Sequence, residues 1–346
     1  MTIQPGPQDS RLVPDQRDQD LTSGHVDPGL VPDQRDPHLD MIVGERRRLI
    51  NLAYRLLGSL SEAEDVVQET YARWYAMSVG QQEAIESVGA WLTTVASRIC
   101  LNLLRSARAR RERYVGEWIP EPLPERTEWL DGRSDRAVAD PADRITLDES
   151  VTMAFLVVLE SMTPAERVVF ILHDVFRYPF AEVADIVGRT PAACRQLASA
   201  ARRRIRGARA PEPSAAQRAR IVGDFKRAWE AKDINALIGL LDPAATATGD
   251  GGGVVTALPD PIEGAERIAR FFAGRAGAGR LTLDECAVNG AAGLVARLDG
   301  TIVGVYAFGI VGDRINRIWA VLNPEKLRPW TTGRTGVEDV RRSEIR

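Results

Sequence analysis

Apolar residues recur at helical spacing through most of the N-terminal half of the chain. Patterning begins near Ile42, and Leu49, Leu52, Ala53, Leu56 and Leu57 form one stripe that Gly58 ends. Ser61 with Glu64 predicts a capping box that opens a second helix, whose stripe is Ala63, Val66, Val67, Thr70, Tyr71 and Trp74. Its opposite face carries Glu62, Asp65, Gln68 and Glu69. A third helix is predicted from about Val88 to Arg113, with Leu92, Val95, Ala96, Ile99 and Leu103 inward. Leu147 to Met162 reads as a further amphipathic helix.

Thr163 to Arg206 then carries a helix-turn-helix signature. Thr163 is an N-cap with Pro164 at the first helical position and Glu166 closing a capping box. The run Val168 to Leu172 has no polar side, which predicts a buried helix. A short helix from about Phe180 to Val187 stops at Gly188, and Thr190-Pro191 starts the next after a sharp corner. On that last helix Cys194, Leu197, Ala198, Ala201 and Ile205 face inward. Arg195, Ser199, Arg202 and Arg206 face out, with Gln196 and Arg203 beside them and no acidic residue between Thr190 and Pro211. A solvated helix mixes signs, so an all-arginine face suits phosphates and base edges.

The period changes after the break Arg209-Ala-Pro-Glu-Pro-Ser214. Ala216 to Leu241 predicts one or two helices, and Pro261 to Gly264 leads into another with Ile268, Phe271 and Phe272 inward. Strands are predicted at Leu281 to Val288, Gly293 to Leu298, Thr301 to Val311 and Arg314 to Leu322, with tight turns at Asp299-Gly300 and Gly312-Asp313. Helices followed by a run of antiparallel strands predict an α+β domain with helices on a curved sheet. Between the helical modules, Trp118-Ile-Pro-Glu-Pro-Leu-Pro124 is extended by its prolines and too apolar for a free tether, so it should dock on a surface. The first forty or so residues repeat Leu-Val-Pro-Asp-Gln-Arg-Asp at Leu12 and Leu30 and cannot bury a core, which predicts a disordered tail. The stretch after Leu327 reads as polar and loose.

Composition adds limits. A chain of 346 residues with 44% hydrophobic content has room for two or three domains, and no apolar run approaches a membrane span. No secretory leader is visible, and Cys100, Cys194 and Cys286 lie far apart; they read as buried apolar side chains in a cytoplasmic protein. The net charge of −3 argues against nucleic acid until the segregation is seen: Arg105, Arg108, Arg110, Arg111 and Arg113 face a single Glu112. Just upstream, Trp91, Thr94, Arg98, Asn102 and Arg105 have outward options on the third helix, a set suited to stacking unpaired bases and holding phosphates. The alternative for Trp91 is a core aromatic at a helix start.

These segments carry a resemblance. Glu62 to Tyr75, EAEDVVQETYARWY, resembles the second conserved region of bacterial sigma factors, especially the small extracytoplasmic-function (ECF) group. Gly89 to Val115 is similar to that group's promoter-melting and −10-reading helix, and the helix-turn-helix to its −35 reader. The linker Tyr114 to Leu123, YVGEWIPEPL, resembles a subgroup with a C-terminal SnoaL-like domain of the NTF2 fold; DGGG at Asp250 to Gly253 and NPEKL at Asn323 to Leu327 resemble its two C-terminal signatures.

The resemblance implies a multidomain chain: two all-α sigma-factor domains, the second a helix-turn-helix, then an α+β NTF2/SnoaL-like cone. The expected boundaries are a tail at 1–40, region 2 at 41–114, a Pro-rich linker at 115–145, region 4 at 146–209, the SnoaL-like domain at 214–327 and a polar tail at 328–346. It implies core RNA polymerase at Asp65, Gln68 and Glu69, the −10 element at Trp91, Thr94, Arg98, Asn102 and Arg105, and the −35 element at Arg195, Gln196, Ser199, Arg202 and Arg203. Trp118, Pro120, Asp250, Gly251, Asn323, Pro324 and Lys326 are the expected interdomain regulatory residues. Asn102 stands where the family more often has Asp, and Val254 where the subgroup often has Lys.

The expected partners are core RNA polymerase and promoter DNA, with a small-molecule ligand of the C-terminal domain as a candidate and no membrane. No cofactor or metal is expected. An enzymatic C-terminal domain is the weaker alternative, since His25, His38 and His173 all lie outside it and Asp242, Asp250, Asp284 and Glu285 have no evident partner in sequence. An operator-binding regulator without polymerase contact explains the helix-turn-helix but neither helix upstream of it.

Overall fold

The computed structural model describes residues 37–111, 114, 117–124, 151–208, 213–255, 257–258, 260–275 and 281–331. Residues 1–36 of the expected N-terminal tail, the later part of the linker and the last fifteen positions lie outside these; positions 37–40, expected in the tail, begin the first helix. Helices α1 (Pro37–Leu57), α2 (Leu60–Tyr75), α3 (Val79–Glu83) and α4 (Val88–Arg111) form the first bundle. The second holds α5 (Met153–Glu160), α6 (Pro164–Phe170) with a π turn at Ile171–Val175, α7 (Phe180–Val187) and α8 (Pro191–Ala208). The start of α5 expected at Leu147 lies outside the described residues.

The two bundles share one apolar core, running from Leu49 and Leu52 of α1 through Leu92 and Cys100 of α4 to Val168, Leu172 and Val183 beyond the linker. Polar bonds fix the seam. Arg167, 3% exposed, donates to the Leu56 carbonyl at 3.0 Å and to Glu160 at 2.7 Å. The Tyr178 hydroxyl donates to Thr93 at 3.0 Å and accepts from Arg48 at 2.6 Å. This explains why α4 is buried over a wider arc than its stripe predicts. Thr93, Ser97, Leu101 and Leu104 are buried as well, because α6 and α7 cover the flank that sequence leaves to solvent.

The third body is a six-stranded sheet under α9 (Ala215–Glu230), α10 (Ile234–Leu240) and α11 (Ala265–Arg275). Its strands are β1 (Leu241–Asp250), β2 (Ile262–Glu263), β3 (Leu281–Val288), β4 (Ala291–Leu298), β5 (Thr301–Val311) and β6 (Arg314–Val321), in the order β2-β1-β6-β5-β4-β3. This is the α+β cone expected of a SnoaL-like domain, with two corrections. β1 and β2 carry no strand signal, β1 being built mostly from Asp, Pro, Ala and Gly, poor strand formers that pairing holds extended. The sheet is also mixed, since β1 pairs with β6 in parallel.

The expected turns hold, with Asp299 and Gly300 both at positive φ, as a two-residue hairpin requires. Asn289-Gly290 makes a third such turn between β3 and β4. Both faces of the sheet are apolar. Inside, Phe225, Trp229, Phe272, Tyr306 and Phe308 pack edge to face and fill the cone. Outside, Val295, Val305, Ala307, Trp319 and Val321 meet Ile119 of the linker, Met153 of α5, Leu327 and Trp330. The stretch expected to be loose therefore starts with a helical turn, α12 (Arg328–Thr331), because its Trp330 is buried on this outer face.

Candidate functional site

The acidic helix comes first. Asp65, Gln68 and Glu69 of α2 are exposed together on the side away from the core, and Glu69 pairs with Arg73 at 2.5 Å. The helix starts two residues earlier than expected: its N-cap is Ser59, not Ser61. A second cap comes from the linker, where a Glu121 carboxylate oxygen accepts the Leu60 amide at 2.8 Å and the Ser59 hydroxyl at 3.2 Å. Glu121 is 4% exposed; burial pushes its carboxyl up, and the bonds from Leu60 and Ser59 pull back.

The expected −10 residues divide on α4. Trp91 is half-buried, edge-on to Trp74 with ring centroids 5.3 Å apart, which favours the core reading for most of its surface. The Thr94 hydroxyl is returned to the Ala90 carbonyl at 2.9 Å. Arg98, Asn102 and Arg105 are exposed, but Arg98 is engaged: it donates to the Asp185 carbonyl of α7 at 3.0 Å.

The helix-turn-helix forms as its signals predict. The Thr163 and Glu166 capping box is complete, and Gly188 ends α7 at φ +69°. On α8, Arg195, Gln196, Ser199 and Arg203 are exposed, with Arg195 5.5 Å from the Phe180 ring centroid. Arg202 departs from the free arginine face, since Asp174 in the π turn pairs with it at 2.6 Å. The helix lacks acids of its own, but its neighbour supplies one.

Several of the expected interdomain residues gather around one buried carboxylate. Asp250, 0% exposed at the end of β1, accepts from Lys326 Nζ at 2.6 Å, the Tyr114 hydroxyl at 2.6 Å, the Ile119 amide at 3.1 Å and the Gly252 amide at 3.0 Å. The carboxylate with no partner evident in sequence therefore has a lysine one. Burial, with Asp250 adding to it, pushes the Tyr114 phenol well above its usual range. Lys326 also donates to the Ile119 carbonyl and lies 4.2 Å from the centre of the Trp118 ring, an aromatic face that suits a buried cation. Asn323 donates to the Tyr114 oxygen at 2.9 Å.

The parallel pairing of β1 with β6 explains the convergence. Asp250 stands opposite Val321, so DGGG and NPEKL leave the sheet at the same edge. Glycine is required in the first loop: a Cβ on Gly251 would lie 2.0 Å from the Val255 carbonyl oxygen, and one on Gly252 2.5 Å from Asn323. Val254 points to solvent at 75% exposure, away from this cage. Pro324 sits at the turn behind Asn323, and buried Pro120 packs near Gly58, where a Cβ would meet it at 3.4 Å.

A second grip went unsignalled in sequence. Buried Asn289, at the β3–β4 turn, accepts the Leu123 amide at 3.0 Å and donates its own amide to the Leu123 carbonyl at 2.8 Å. Its side chain also donates to Tyr54 at 2.8 Å, and Tyr54 donates to the Glu121 carbonyl at 2.7 Å. Trp330 donates to the Pro122 carbonyl at 2.8 Å. Asn-Gly is a hairpin signal, but nothing in the pattern says that its side chain meets the first bundle.

Elsewhere, Asp242 accepts the Ala244 amide at 2.8 Å and Asp284 pairs with Arg297 at 2.8 Å. Among the described residues, no cluster of three or more His, Cys, Asp or Glu could hold a metal ion, and no helix is long and apolar enough to cross a membrane. A groove of about 680 Å³ lies between α5, the end of α8 and the outer face of the sheet.

Two helical readers and an acidic helix, strapped to an α+β cone by their own linker, define a sigma factor with a C-terminal extension. Residues 41–110 match Sigma-70 region 2 and residues 152–205 match Sigma-70, region 4. The chain belongs to the ECF RNA polymerase sigma factors. It is 36% identical over 300 residues to the ECF RNA polymerase sigma factor SigJ of Mycobacterium tuberculosis, covering 81% of this chain and 90% of that one. To the probable ECF RNA polymerase sigma factor SigI of the same species it is 35% identical over 286 residues, covering 82% and 92%. The crystal structure of SigJ superposes with a TM-score of 0.62 at 30% identity, over 84% of this chain and 98% of that one.

Proposed function

We propose that this chain directs core RNA polymerase to promoters with separate −10 and −35 boxes, and that its C-terminal domain holds it closed until it is needed. Asp65, Gln68 and Glu69 meet the polymerase. Trp91, Thr94, Arg98, Asn102 and Arg105 engage the −10 element, and Arg195, Gln196, Ser199, Arg202 and Arg203 the −35 element. The observation that carries the closed state is the bond from Arg98 to the Asp185 carbonyl, which puts α7 of the upstream reader against the −10 face. Two boxes apart on DNA cannot be read by helices packed on each other, so the bundles must separate. The cage around Asp250 opposes this by fixing the linker between them. We read the protein as cytoplasmic and its C-terminal domain as regulatory: the cone is filled with aromatic rings, and of its candidate carboxylates Asp242 accepts a backbone amide and Asp250 and Asp284 are ion-paired, while Glu285 is exposed.

A small-molecule effector is a second reading, favoured by the groove outside the cone and not by the cone itself. Arg204, Arg218 and Arg317 line it without a carboxylate among its lining residues.

Reconstituted transcription tests the main reading. Core polymerase with this chain should initiate at a cognate promoter, whereas an operator-binding regulator would confer no initiation. Arg195→Ala should weaken initiation roughly tenfold on promoters that need the −35 box, as loss of a base or phosphate contact worth about 1–3 kcal/mol implies. Its affinity for core polymerase should be unchanged, and a loss there would contradict the assignment.

A further inference from the structure

We propose that Glu121 is a positioning residue for polymerase binding: the linker supplies it as a second cap at the N-terminus of α2, so linker docking is felt by the helix that meets the polymerase. The inference rests on the reading that Asp65, Gln68 and Glu69 form the polymerase contact.

A helix start leaves its first amides without intrahelical partners. The local cap of α2 is poor, since the Ser59 hydroxyl accepts the Glu62 amide only at 3.4 Å. That hydroxyl is also within hydrogen-bond distance of Glu121, at 3.2 Å, and of the Ser61 hydroxyl, at 3.1 Å. Glu121 takes the Leu60 amide at 2.8 Å, and the Ser61 backbone bonds to it too. It thus provides a negative charge at the positive end of the helix dipole, where burial keeps it from being screened.

The carboxylate reaches that place only because the linker is held. The Glu121 amide donates to the Gly58 carbonyl at 2.8 Å, and Tyr54, with Asn289 behind it, grips the Glu121 carbonyl. Sixty-one positions separate Glu121 from Leu60, so nothing local replaces the cap when the linker leaves. The C-terminal domain therefore reaches the polymerase face through a chain of four bonded groups: Asn289, Tyr54, Glu121 and the first turn of α2.

The test uses the full chain, core polymerase and two readouts, affinity for core and initiation at saturating sigma. Glu121→Ala should weaken core binding about tenfold, equivalent to about 1.4 kcal/mol and typical of a lost N-cap, with little change in initiation at saturation. Glu121→Gln keeps an acceptor and should lose less. Ser59→Asp in the Glu121→Ala background supplies a carboxylate without the linker and should restore affinity. Wild-type affinity in Glu121→Ala overturns the proposal, as does a double variant that regains thermal stability without regaining affinity. Asp65→Ala with Glu69→Ala separates the two ideas. If this pair binds core normally, the polymerase-face reading fails; if it binds weakly while Glu121→Ala does not, only the cap fails.

Discussion

Asp250→Asn should release the linker from the C-terminal domain. The substitution keeps the shape but removes the charge that compensates Lys326, which is 8% exposed, and weakens the bonds from Tyr114 and the Ile119 amide. Leaving one member of a buried ion pair unpaired costs about 3–5 kcal/mol, enough to open a local clamp without unfolding the cone, whose core lies on the other side of the sheet. Limited proteolysis should show new cleavage between Tyr114 and Pro120, and initiation per bound polymerase should rise as the readers separate more easily. Adding Lys326→Met should recover part of the loss, because an uncharged pair leaves no orphaned ion. Full linker protection in Asp250→Asn would show that the cage does not hold the linker.

Truncation after Arg209 should have a larger and mixed effect. It removes the surface that covers Ile119, Met153 and Val157, and it removes Asn289 from Tyr54. Burying an Ile side chain is worth about 1.5–3 kcal/mol, so losing the surface under Ile119 together with the Asp250 and Asn289 contacts should detach the linker. The helical core shared by the two bundles remains, yet core polymerase affinity should fall by about the amount expected for Glu121→Ala. Transcription at limiting sigma should therefore drop. Unchanged transcription from the truncated chain would remove the regulatory role of the C-terminal domain.

Much of this architecture is legible in the sequence, and what is not has identifiable causes. The helix-turn-helix is local: a capping box, a proline at the first helical position and a left-handed glycine each act within a few residues. The strands from Leu281 onward announce themselves by alternation and turn residues, and the apolar linker by having no reason to be apolar in water. The missed features are long-range. β1 has a weak strand sequence, and only its parallel partner holds it extended. Thr93 and Ser97 look like solvent-facing residues until α6 and α7 cover them. Asp250 and Lys326 lie 76 positions apart, and nothing short of the β1–β6 pairing brings them together. Arg202 looks free on a helix without acids, but Asp174 reaches it from 28 positions away. The charged and polar helix faces follow from composition and spacing and their expected roles from the resemblance, whereas the way they are covered depends on tertiary contacts.

The closed state is the central claim, and a distance measurement tests it most directly. Cysteines introduced at the exposed Ser106 on α4 and Arg189 beyond α7 can carry a donor and an acceptor dye. Cys286 would be replaced by Ser, while Cys100 and Cys194 are buried and should not label. Energy transfer should be high in the free protein and fall when core polymerase and a two-box promoter are added. The Asp250→Asn variant should show an intermediate value before any partner is present. Equal transfer in the free protein and in an initiating promoter complex would contradict the account, because the two readers would then work without parting.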